Sequence, residues 1–92
     1  MREHTLKIWP GPFAAICDGF KRHEIRRDDR GYMVNDVLIL REWDPAPKMA
    51  GGTRGAIGFT GRERRAVVTY KTDAGSWGLP DHLCVMTIEV LS

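Results

Sequence analysis

No apolar run in this chain of 92 residues approaches the roughly 20 consecutive positions that a membrane-spanning helix needs, so no membrane helix is expected. Met1-Arg2-Glu3-His4 also lacks the charged-then-apolar plan of a secretion signal, and the expectation is a cytoplasmic protein without membrane contact. Cysteine is scarce. Cys17 and Cys84 stand far apart and form no Cys-x-x-Cys pair, which leaves no basis for a disulfide framework or a zinc knuckle and predicts two buried free thiols. His4, His23 and His82 share no ligand spacing with one another or with the cysteines, so neither a metal site nor a cofactor is expected. Repeats, linkers and low-complexity segments are missing as well. The length suits a single domain, residues 1–92, with one modest core.

Apolar residues make up 42% of the chain and charged residues 28%, the balance of a folded globular domain rather than a disordered one. The net charge of +2 is too small to name a partner, but its distribution says more. Residues 48–71 carry Lys48, Arg54, Arg62, Arg64, Arg65 and Lys71 against Glu63 alone, whereas residues 73–92 carry Asp73, Asp81 and Glu89 and no Lys or Arg. A phosphate backbone is attracted to the first flank and repelled by the second. An ordinary solvated charge run would look the same in sequence.

His4 to Trp9 alternates polar and apolar up to Pro10 and predicts a first strand. Phe13, Ile16 and Cys17 follow at helical spacing, with Pro12 suited to a first turn and Gly19 to the stop, so a short helix over 12–18 is expected. In the strand that follows, Glu24 and Arg26 lie on one side of the pleat, with Arg22 on the same side if the strand extends back to it, and His23 and Ile25 on the other. Lys21 is three residues before Glu24, so the two converge only if Lys21 belongs to the turn after Gly19. Arg27-Asp28-Asp29-Arg30-Gly31 reads as a charged turn, and Val37 to Leu40 as a central strand buried on both faces. An irregular loop is expected over 44–56, then a strand over 64–72 that turns Ala66, Val68 and Tyr70 to one face. A further loop, 73–81, carries Trp77, and Cys84, Met86, Ile88 and Val90 alternate in a last half-exposed strand. The fold class is α+β, mainly β: a small barrel of about five strands with one or two short helices.

The segment Gly19-Phe20-Lys21-Arg22-His23-Glu24-Ile25-Arg26 follows the order Gly-x-Lys-x-x-Glu-x-Arg and resembles the signature of the ASCH domains, small β-barrels of the PUA-like superfamily associated with RNA. His4-Thr5-Leu6-Lys7, Phe13, Ile16, Asp28-Asp29-Arg30, residues 36–42 and Thr60-Gly61-Arg62 extend the likeness to a short phage or bacterial branch of that family. Asn35-Asp36 stands where the PUA-like pattern usually has Gly-Asp; asparagine tolerates the same left-handed backbone. The resemblance implies a cleft beside the helix lined by Lys21, Glu24 and Arg26. Some ASCH relatives are amidohydrolases that use the signature lysine with a threonine three residues later. Here Glu24 occupies that position, so the hydroxyl is missing.

The first expectation is a nucleic-acid-binding module, RNA rather than DNA, that accepts a base or nucleotide at Lys21, Glu24 and Arg26, with Arg62 and Arg64 on the backbone and Trp77 stacking on a base. Trp9 and Phe59 are further stacking candidates, while Trp43 and Tyr70 are assigned to the core. The alternative is a small amidohydrolase on an acylated nucleoside, with Lys21 and Glu24 catalytic. A carboxylate beside Lys21 favours the ammonium form, which is neither base nor nucleophile, so Glu24 would have to activate water. A third reading is a phage accessory protein that grips a host protein; a pull-down insensitive to nuclease would separate it from the first.

Overall fold

Polar and apolar residues alternate from Glu3 to Ile8, and this stretch forms β1, the first strand of a computed structural model that describes residues 1–45, 49–50, 53–54 and 57–91, the two short pairs by backbone alone. His4, Leu6 and Ile8 face inward. Trp9 keeps extended backbone, and α1 (Pro10–Cys17) then starts on a proline whose missing N–H has no helical acceptor to lose. Phe13 and Ile16 are its buried residues. The helix ends as expected at Gly19, which is left-handed at φ +81°. Its N–H bonds the Ile16 carbonyl at 3.1 Å and the Phe20 N–H bonds the Ala15 carbonyl at 3.0 Å, so the last helical carbonyls are satisfied by the turn itself.

The remaining elements are β2 (His23–Arg27), β3 (Val37–Asp44), β4 (Met49–Ala50), β5 (Thr53–Arg54), β6 (Gly58–Thr72), a 3₁₀ turn (Ser76–Gly78) and β7 (Leu83–Val90). Five strands form one sheet in the order β1-β3-β6-β7-β2, with β1 and β3 parallel and every other neighbour antiparallel. β4 and β5 pair with each other apart from it. The sheet curls into a half-barrel whose edge strands, β1 and β2, approach without pairing. Arginines bridge the seam: Arg26 Nη2 donates to the Lys7 carbonyl at 2.6 Å and Arg30 Nη1 to the Thr5 carbonyl at 3.0 Å. These bonds satisfy edge carbonyls that would otherwise invite another strand. Among the described residues no helix is long and apolar enough to cross a membrane.

The core sits inside the curl, with Leu6, Phe13, Leu38, Leu40, Val68, Cys84 and Met86 among its buried side chains. Asn35 takes the left-handed conformation that leads into β3, at φ +79°. Val37, Leu38 and Leu40 are buried as expected, but Ile39 is only half-buried. β6 begins at Gly58, earlier than the expected 64. Its register jumps where Arg41 pairs with Glu63 but Trp43 pairs with Phe59, so residues 60–62 face Glu42 alone. A second bulge corrects the reading of Tyr70. Val68 pairs with Ile88 and Tyr70 with Thr87, which leaves Thr69 as an extra residue and turns Tyr70 outward, 64% exposed. Trp43 is not core either: it is half-buried under the Lys7 ammonium, 4.3 Å from the ring centroid. Cys84 is buried and Cys17 only partly, because the helix ends there and the chain turns away. Val90 lies outside the core at the end of β7, 39% exposed. The loop expected over 44–56 falls largely outside the described residues, as do Lys48 and the side chain of Arg54.

Candidate functional site

β2 turns Glu24 and Arg26 inward and His23, Ile25 and Arg27 outward, the separation that the pleat requires. Glu24 is 4% exposed, opposite the buried Met86 of β7. A carboxylate so buried must be paired. Lys21 supplies one partner, because the Lys21 N–H also bonds the Ala15 carbonyl, at 3.1 Å, and holds the residue in the turn before β2 begins. Its Nζ lies 2.9 Å from Glu24 Oε1 and also donates to the His23 carbonyl. Arg26 supplies the other, with Nε 2.7 Å from Glu24 Oε2. Since Arg26 Nη2 holds the Lys7 carbonyl as well, the guanidinium ties β2 to the carboxylate and to β1 at once. The condition placed on Lys21 by its spacing is met, and the three head groups converge.

Above them lies a groove of about 390 Å³, walled by Lys7, Ile8, Trp9 and Pro12 on one side and by Lys21, Glu24, Ile25 and Arg26 on the other. It occupies the unpaired seam between β1 and β2, beside the start of α1. Three cations and one carboxylate line it, so its balance is positive. Trp9, 58% exposed, and Ile25, 52% exposed, add apolar surface at its rim.

The other expected site residues do not line this groove. Arg62 lies with its guanidinium 5.1 Å from the Phe13 ring centroid and Nη1 3.8 Å from Glu42. Glu42, buried in β3, also accepts from the Thr60 hydroxyl at 2.7 Å. Arg64 is exposed on β6, with Nη1 3.5 Å from the Glu63 carbonyl. Trp77 is 93% exposed in the 3₁₀ turn, at the acidic end of the chain. Trp9 is the aromatic that meets the groove, and the available signal was its place directly before the proline that starts α1.

Two further polar pairs escaped the reading of the residues, one buried and one partly buried. His4 Nε2 lies 2.8 Å from Asp36 Oδ2, with the imidazole edge-on to Tyr32. Burial works to raise the Asp36 pKa, but hydrogen bonds from His4 and from the Met33 and Arg2 backbone outweigh it and hold the carboxyl below its ordinary range. Lys71 reaches Asp28 at 3.0 Å and the Tyr32 carbonyl at 3.0 Å; burial opposes its charge, yet Asp28 wins and its pKa is raised. Burial pushes the Cys84 thiol up, as befits a core thiol. Among the described residues no group of three His, Cys, Asp or Glu side chains gathers to hold a metal ion.

Residues 3–88 match the family described as a domain of unknown function, DUF3850. The chain belongs to that family. The matched span runs from the start of β1 to Ile88 in β7 and therefore includes the whole groove. A DUF3850 chain of this kind is also similar to a protein of Escherichia phage P2, named an uncharacterized 12.9 kDa protein in the GpA 3′ region. The two are 35% identical over 85 residues, 92% of this chain and 67% of the phage protein.

Proposed function

We propose that this DUF3850 chain is an ASCH-type, PUA-like module that binds nucleic acid, RNA rather than DNA, by taking a base or nucleotide into the groove of Lys21, Glu24 and Arg26. The observation that carries the reading is the buried Glu24 carboxylate, which holds an ammonium and a guanidinium at fixed positions on the floor of a positively balanced groove. Both cations keep donor hydrogens beyond those bonds. Arg26 presents a flat edge suited to phosphate or to the acceptors of a base, and Lys21 a point charge. Trp9 and Ile25 offer an apolar rim on which an unpaired base can rest. Glu24 is the positioning residue for both.

Titration of an RNA oligonucleotide into the protein, followed by tryptophan fluorescence at several salt concentrations, tests the reading. Binding that weakens steeply with salt, and that Lys21→Ala diminishes, supports it. Affinity indifferent to salt, or unchanged by Lys21→Ala, overturns it. The amidohydrolase reading has less support, since Glu24, which would have to activate water, is 4% exposed and has one carboxylate oxygen on Lys21 and the other on Arg26.

A further inference from the structure

Lys21 walls a second cavity as well as the first. This one, about 510 Å³, opens where α1 ends and the chain turns at Gly19 toward β2, against the second half of β7 and the Thr69 bulge of β6. Its existence follows from three local events. The helix stops at Cys17 and leaves the far end of the sheet uncovered. The Ile88 N–H bonds the Arg22 carbonyl at 3.0 Å, which sews the lead-in of β2 onto β7 and closes one wall. The bulge turns the Thr69 hydroxyl to the Thr87 carbonyl, at 3.3 Å, and so gives the wall across from Arg22 a polar lip.

The chemistry of this cavity is graded. Lys21 and Arg22 stand at the end nearer the first groove, and Arg22 spends its Nε on the Gly19 carbonyl at 3.2 Å, which aims the guanidinium while leaving its terminal nitrogens to a ligand. Val90, 39% exposed, with the buried Ile16 and Ile88 behind it, gives the cavity an apolar lining, and Glu89 adds a carboxylate. A phosphate suits the first part, and a flat heterocycle suits the second, its exocyclic amine toward Glu89.

We infer that the two cavities, which share Lys21, take two consecutive nucleotides of a single strand, with the phosphate that links them at the Lys21 ammonium and the second base against Val90, beside the end of α1. The inference rests on the nucleic-acid reading above and extends it from one nucleotide to a dinucleotide footprint. A paired duplex does not fit, because the two bases must part around one side chain.

The test compares adenosine monophosphate with the 5′-phosphorylated dinucleotide pApA at one ionic strength, by calorimetric titration of the full chain and of Thr87→Trp, which fills the second cavity. The dinucleotide is expected to bind the native chain about tenfold tighter than the mononucleotide, and Thr87→Trp to remove that gain while mononucleotide affinity stays. A second measurement needs no variant. Cys17 lines the second cavity and is partly exposed, whereas Cys84 is buried, so alkylation reports Cys17. The dinucleotide should slow it several-fold and the mononucleotide should not. Equal affinities, a gain retained in Thr87→Trp, or an unprotected Cys17 overturns the two-nucleotide footprint and leaves the first groove standing. Failure of both ligands to bind overturns the footprint and the underlying reading together.

Discussion

Arg26→Ala is the perturbation that most directly tests how the site is held. The guanidinium makes two contacts of different kinds, one to the buried Glu24 carboxylate at 2.7 Å and one across the seam to the Lys7 carbonyl at 2.6 Å. Removing one partner of a buried ion pair costs about 3–5 kcal/mol when the remaining charge is wholly stranded. Here Lys21 stays behind on Oε1, so about half of that, roughly 2 kcal/mol, is the reasonable share. The lost bond to Lys7 adds about 1 kcal/mol, for a total near 3. In a domain of 92 residues this corresponds to a fall in Tm of about 12–24 °C. Thermal and urea unfolding by circular dichroism measure it. The decisive step is to add Glu24→Gln to Arg26→Ala. If the damage comes from a stranded carboxylate, neutralising that carboxylate restores part of the loss, so the double variant is more stable than Arg26→Ala alone. A Tm within a few degrees of the native value for Arg26→Ala, or a double variant that simply sums two losses, refutes the account of Glu24 as a buried anion held by its two cations.

Asp36 sets an acid limit on stability. Its carboxyl lies below the ordinary value of 3.8, so its contribution is present above that value and is lost as pH falls through the lower, folded one; the urea midpoint of the native chain should drop below about pH 3.8, and its advantage over Asp36→Asn should shrink there. Trp9→Ala is expected to weaken RNA binding by about 1–3 kcal/mol, whereas Trp77→Ala, at a side chain 93% exposed and away from the groove, leaves both affinity and stability nearly unchanged; fluorescence-independent filter binding distinguishes them. Lys21→Ala should reduce the slope of log affinity against log salt by about 1, the signature of one lost phosphate contact, as read from binding isotherms at four or five salt concentrations.

Local features were legible because their causes are local. Gly19 stops α1 by its freedom at positive φ, and Asn35 takes the turn before β3 for a related reason. The spacing of Lys21 to Glu24 set the condition under which the two could converge, and the pleat dictated that Glu24 and Arg26 share a face. Tyr70 failed because the alternation that places it inward holds only while the ladder is regular, and the bulge at Thr69 depends on how β6 meets β7. Trp77 lies in a loop, and a loop position carries no information about which surface a side chain shares; the structure puts Trp9, not Trp77, at the groove of Lys21, Glu24 and Arg26. The His4–Asp36 pair, separated by 32 residues, needed the parallel pairing of β1 with β3 to exist at all.

The residues alone thus determined the mainly β character of the chain, the short glycine-ended helix and the sharing of one strand face by Glu24 and Arg26, all consequences of spacing along one stretch of backbone. Tertiary structure decided that β1 and β2 meet at a seam, that Arg26 spans it to Lys7, and that a groove opens there with Trp9 at its rim. The physical reason is that hydrogen bonding between strands selects the sheet order and its register errors. Contacts between residues far apart in the chain, such as Arg26 with Lys7, follow from that order and from no periodicity within either segment.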